Sequence, residues 1–245
     1  MTTTRIAPLI VLSAVLASPL PTWVAPARGE EDARPLSPAQ TALFESNHLD
    51  ALKESVRLDY AFRQEHPEAA ADEDDRVELD VRPRADGAKD VWVDFLSGDR
   101  HVPFPPVIGF HGNPIVMFYL ERDVGEMHRR TGGAAAYFRN RIREAFVDRA
   151  QVRPIELTYG GQTVAASEII LRPFVGDQRL AGATGLDRKL YRFVLSDAIP
   201  GTVYLIGSEI PGEAGTKPLL RETLTFAAEL PCSGAEGPCA PSGAR

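Results

Sequence analysis

The strongest constraint on this chain is a period of two. Across residues 56–62 the apolar side chains Val56, Leu58, Tyr60 and Phe62 alternate with Arg57, Asp59, Ala61 and Arg63, so an extended strand turns one row toward a core and the other toward water. Val77, Leu79 and Val81 repeat the pattern against Glu78, Asp80 and Arg82, and Asp86-Gly87 supplies a tight connection into a strand at 91–96. A second series follows residue 150, at 154–159, 163–171, 189–195, 202–210 and 219–226, punctuated by Gly160-Gly161, Gly176-Asp177, Pro200-Gly201 and Pro211-Gly212. Parallel strands covered on both faces read as continuous apolar runs, whereas antiparallel sheets with one wet face alternate. The expectation is an α+β fold: one curved, half-barrel-like antiparallel β-sheet of about eight or nine strands, with a helical hairpin insert packed on one face. Residues 69–75 carry four consecutive acids and read as an exposed loop between the first two strands, since they lack the glycine and spaced ligands of a calcium loop.

The insert lies at 113–150. Asn113-Pro114 is a start signal, because Asn can cap free amides and Pro gives up an amide that had no partner. Thr131-Gly132-Gly133 ends the first helix, after His128-Arg129-Arg130 has placed positive charge on its negative end. A second helix is expected at 134–150, with Phe138, Ile142, Ala145 and Phe146 on its apolar face. Residues 114–150 hold seven arginines and five acids. Two readings stand: a solvated face with local ion pairs, or a patch in which Arg122, Arg129, Arg130, Arg139, Arg141 and Arg143 read an anion, with His111 beside it.

Residues 1–27 have the form of a cleaved secretory signal: Arg5, an apolar run over 6–20, then Ala25-Pro26-Ala27. The apolar run is shorter than the ~20 residues of a spanning helix. Without it the chain carries 26 basic and 34 acidic residues, a net −8. Arginine outnumbers lysine 23 to 4, as in GC-rich bacterial genomes, and the expected location is the periplasm of a Gram-negative bacterium. A composition of 44% apolar and 25% charged residues at net −7 excludes disorder, a multi-span membrane protein and nucleic-acid binding by bulk positive charge. The expected organisation is a leader and short helix at 28–53, a single domain at 54–228 and a flexible tail at 229–245. Cys232 and Cys239 in that tail suit a disulfide in an oxidising compartment; a zinc site would need further ligands.

Little points to catalysis. None of His48, His66, His101, His111 and His128 forms an i, i+4 metal pair, and Ser196-Asp197 precedes Pro200-Gly201, where both residues commonly make turn hydrogen bonds. No cofactor is expected, and enzyme status is disfavoured. Strands, a helical insert and more strands behind a signal resemble the periplasmic lipoprotein-carrier superfamily of the LolA and LolB type. Asn113-Pro114, residues 120–123, Thr131-Gly132-Gly133 and residues 137–143 are also similar to a secreted bacterial family of uncharacterised function. The resemblance implies a half-barrel whose apolar concave face, with Ile115, Phe118, Tyr119, Phe138 and Ile142, could hold a hydrophobic or lipid-like ligand; the same residues could equally close a dry core. The leading expectation is a non-catalytic periplasmic carrier. The alternative is a cell-envelope assembly protein that uses its arginine-rich helical face on an acidic partner, and a hydrolase comes third.

Overall fold

The computed structural model describes residues 35–66, 73–180, 185–213, 216–234 and 237–240. The signal at 1–27, the leader residues 28–34 and positions 67–72 lie outside the described residues. A short helix α1 (Pro38–Gln40) runs on into a wider turn at Thr41–Glu45. The strands are β1 (Val56–Glu65), β2 (Glu73–Pro83), β3 (Lys89–Phe95), β4 (Val107–Phe110), β5 (Gln151–Tyr159), β6 (Gln162–Leu171), β7 (Leu190–Leu195), β8 (Val203–Ile210) and β9 (Leu220–Pro231). Helices α2 (Ile115–Thr131) and α3 (Ala135–Asp148) fall between β4 and β5.

All nine strands form one open, curved antiparallel sheet in the order β4-β3-β2-β1-β9-β8-β7-β6-β5. The chain leaves one edge at β4 and re-enters at the opposite edge at β5. A compact connection between opposite edges has to cross the sheet, so the helical pair covers one face as a consequence of connectivity. Each of the eight strands anticipated from alternation is present; β4, four residues between prolines and a glycine, is the addition.

Curvature has a local source. The β1–β9 register slips between Asp59 and Tyr60, so that Tyr60 faces Phe226 while Asp59 faces Ala228. The residue left over is a bulge, which bends the strand and raises its twist. The sheet curls far enough for Tyr159 of β5 to reach within 6.2 Å of the Phe226 ring of β9. Tyr60, Phe62, Leu79, Val91, Phe193 and Leu224 from the sheet meet Ile115, Tyr119, Phe138 and Phe146 from the helices in one core.

Three expectations need correction. The acidic stretch is strand from Glu73 onward: Asp74 pairs across from Arg63, and Asp75 accepts hydrogen bonds from the Ser97 amide and hydroxyl at 3.1 and 2.8 Å. The first helix stops at Glu45 because Ser46 turns extended and His48 folds inward. The third concerns the tail, whose residues 232–234 and 237–240 form a strap. One end of the outward row of β1 and β2 is polar but buried: Arg57, Glu78, Asp80 and Arg82 are all shielded from solvent. Arg57 forks onto Asp80 at 2.7 and 2.9 Å and reaches Glu78 at 2.8 Å. Arg82 donates to the carbonyls of Ser233, Gly234 and Gly237, and the Cys239 amide donates to Asp80 at 2.7 Å. The Cys232–Cys239 disulfide closes this loop. Charged side chains that alternation assigns to water are therefore satisfied by one another and by backbone groups of the tail. Burial pushes the Glu78 carboxyl up, against the pull of Arg57 and Arg76.

Reduction of the disulfide, or the pair Cys232→Ser and Cys239→Ser, is expected to cost about 2 kcal/mol in urea unfolding. It should also speed hydrogen exchange at the amide of residue 239 while β7 stays protected. An unchanged midpoint with unchanged exchange would mean that Arg57, Asp80 and Arg82 hold the strap without the bond.

Candidate functional site

The insert is positioned from Asn113. Its Oδ1 accepts from the Ile115 amide at 3.1 Å and caps α2, its Nδ2 donates to the Gly201 carbonyl at 2.9 Å and to the Tyr60 hydroxyl at 3.3 Å, and its own amide donates to His48 Nδ1 at 3.2 Å. Gly201, at φ 72°, is required: a Cβ there would lie 2.7 Å from Leu58 Cδ1. At the far end Gly132 takes φ 70° and closes the helix as anticipated.

His48 also faces an open pocket of about 540 Å³ with Ser167, Ser196, Asp197 and Thr202. This grouping resembles a hydrolytic triad in composition only. Nε2 of His48 donates to the Ala42 carbonyl at 2.7 Å, Nδ1 is taken by Asn113, and Ser196 Oγ donates to the Ala165 carbonyl at 2.6 Å. With both ring nitrogens engaged by backbone, His48 has none to accept a proton from Ser196. Burial lowers its pKa, and the neutral ring acts as a latch between the first helical turn and α2.

The inward face of α2 carries an ionic cluster. Arg122 reaches Glu222 of β9 at 2.7 Å and lies 5.2 Å from the centroid of the Phe62 ring. Asp123 accepts from Lys189 Nζ at 2.8 Å and from the Tyr191 hydroxyl, and Gln64 donates to Glu222 at 2.9 Å. Arg122, Asp123, Lys189 and Glu222 are all buried. Burial works against the Arg122 charge, and the Glu222 carboxylate more than offsets it, so the guanidinium is held protonated. The Tyr119 and Ser208 hydroxyls are buried beside each other in the same core. Beside the cluster, toward the end of α2, is a cavity of about 230 Å³ lined by Asp123, Lys189 and Glu222 together with Met127, Arg130 and Leu220.

The other arginines go separate ways. Arg129 pairs with Glu126 one turn earlier, Arg139 Nε donates to Glu121 at 2.8 Å and ties α3 to α2, and Arg141 Nε donates to Asp177 at 3.1 Å. Among the described residues Arg143 meets the neutral Asn140 Oδ1, at 3.3 Å, and no carboxylate, and Arg130 stands exposed at the rim of the 230 Å³ cavity. His111 is exposed on the approach to Asn113. Ile115, Phe118, Tyr119 and Phe138 are buried in the core, so the helices fill the concave face at these positions. Ile142 also borders an outer groove of about 400 Å³ between the helices, with Phe44, Met117, Leu120, Val124 and Phe146 and with Arg139 and Arg143 at its edge.

Sequence reasoning missed Gln64, Lys189, Ser208 and Glu222. A signal existed: each occupies the inward parity of its strand, as Glu222 does between Leu220 and Leu224.

Two outcomes test these roles. Because the folded pKa of His48 is lowered, its contribution is complete above the unfolded value of about 6.5 and is lost as pH falls through the folded value. Urea stability should therefore decline as pH drops from about 6.5 toward 5, and this slope should flatten in His48→Gln. Glu222→Gln, which leaves Arg122 buried without its carboxylate, is expected to cost about 3–5 kcal/mol, whereas Arg122→Met with Glu222→Leu should recover most of that loss. Equal destabilisation by the single and double variants would assign the effect to packing.

No known family model matches the sequence, and no curated protein matches it. Among solved structures, the chain is similar to MucB in its crystal structure with MucA(peri), at 15% identity over 84% of this chain and 62% of that one, with a TM-score of 0.33. The Pseudomonas aeruginosa MucA/MucB complex matches at 13% identity over 75% and 54%, TM-score 0.30. A LolA superfamily protein from Nitrosomonas europaea matches at 9% identity over 80% and 94%, TM-score 0.23. The chain thus spans less than two thirds of the length of the MucB chains.

Proposed function

We propose that this chain is a secreted, periplasmic, non-catalytic carrier that holds an anionic, lipid-like amphiphile in the groove between α2 and α3. The observation that carries the reading is the composition of that groove: apolar walls from Phe44, Met117, Leu120, Val124, Ile142 and Phe146, with Arg139 and Arg143 at the edge. Its volume of about 400 Å³ falls within the roughly 300–1,000 Å³ of small-molecule sites. Met117 is 41% exposed there, and a flexible thioether suits an apolar chain of variable shape. Arg143 has a neutral partner, which leaves its charge for a carboxylate or phosphate head. The signal-like run after Arg5 supports export, and among the described residues no helix is long and apolar enough to cross a membrane. The same arginine edge also favours the second reading, an envelope protein that engages an acidic partner.

Protein labelled with 13C at the methionine methyls provides the test, because Met117 borders the groove and Met127 the separate cavity. Titration with dodecanoate should move the Met117 methyl saturably and leave Met127 in place, and Arg143→Glu should weaken binding about tenfold. A Met117 signal that ignores dodecanoate sinks the carrier reading. A response to poly-glutamate in its place would favour the acidic partner.

A further inference from the structure

The 230 Å³ cavity on the other side of α2 has its own chemistry. Its buried carboxylates are occupied: Asp123 by Lys189 and Tyr191, Glu222 by Arg122 and Gln64. Glu126, also on the wall, is tied to Arg129. Donors are in surplus. Lys189 brings three N–H groups, has one carboxylate partner, and lines the cavity with a side chain only 1% exposed. Arg130, at the rim, has no carboxylate partner among the described residues. Met127, Ile210 and Leu220 add apolar wall to the same cavity. A space lined by a buried ammonium with spare donors, an arginine at its rim and three apolar side chains is matched by a small molecule with an anionic head and a short alkyl body.

We infer that this cavity is a binding site for a short-chain monocarboxylate, with the carboxylate on Lys189 and Arg130 and the alkyl body against Met127, Ile210 and Leu220. The volume equals roughly eight waters at about 30 Å³ each, enough for a four-carbon acid and too little for the long chain assigned to the groove. The inference does not rest on the groove, since the two spaces share no lining residue.

The test uses the full protein with 13C-labelled methionine methyls and three probes of one shape: butyrate, butyramide and n-butylammonium. Butyrate should shift the Met127 methyl saturably while Met117 stays still, and the neutral and cationic probes should leave both unchanged. Lys189→Gln strands the buried Asp123 carboxylate and compromises folding, so the informative variant is Arg130→Ala at an exposed position, which should weaken butyrate binding about tenfold. A Met127 signal that ignores butyrate identifies a cavity filled by water alone and overturns the proposal. Equal responses to butyramide or butylammonium, or unaltered affinity in Arg130→Ala, would overturn it as well. Because Met117 reads dodecanoate and Met127 reads butyrate, failure of one site is distinguishable from failure of the other.

Discussion

Arg122 and Asp123 are consecutive residues of α2, and each is matched by an opposite charge on a different part of the sheet, Glu222 on β9 and Lys189 at the entry to β7. Apolar contacts alone would let a helix slide or roll over a curved surface at small cost. Two adjacent charges that must reach two separate partners define both the rotation of α2 and its position along its axis. Such pairs add little net stability over hydrophobic residues of the same shape, but a misplaced helix would leave four buried charges unpaired, at several kcal/mol for each broken pair. The cluster thus penalises alternatives more than it stabilises the native arrangement, and the surrounding core packs against a helix already held in register.

The convex face solves the same problem with different materials. Arg57, Asp80 and Arg82 belong to the outward row of β1 and β2, yet the disulfide-closed tail covers them and supplies carbonyls and an amide as partners. Charges are thus buried on both faces of the sheet, paired by side chains alone on the concave side and by side chains together with tail backbone on the convex side. β1 and β9, the two strands nearest the middle of the chain's fold, are also where the bulge at Asp59 and Tyr60 sets the curvature. The first and last strands of the sequence pair there, so the sheet is completed only when the final strand is in place.

What could be read from the sequence was local. Alternation located eight strands, Asn113-Pro114 and Gly132 bounded α2, and a seven-residue separation brought Cys232 to Cys239. What could not be read depended on contacts between distant residues. Whether Arg57 is wet depends on a tail 182 positions away, and alternation contains no information about it. β4 has only four residues, too few for a period to show, and exists because β3 offers it an edge. Arg122 was legible as a cation on a helix but not as a buried one, because that depends on Glu222 a hundred residues later. The inward parity of Gln64, Lys189, Ser208 and Glu222 was a usable sign: a polar side chain on the apolar row of a strand needs a partner in the core.

The relative strength of the two sets of contacts indicates where this fold can yield to a ligand. Opening the concave face would lift α2 from the sheet and break Arg122–Glu222 and Lys189–Asp123 together, each of which is buried and costs about 3–5 kcal/mol when one partner is lost. It would also separate Phe138 and Phe146 from Phe174 and Phe193. Parting the helices at the outer groove asks far less. There the cross-helix pair is Arg139–Glu121, with both side chains more than two-fifths exposed, and an exposed pair of this kind contributes about 0–1 kcal/mol. Phe138 and Ile142 continue to anchor α3 to the core from its other side. A ligand of substantial length would therefore enter between the helices and not between α2 and the sheet.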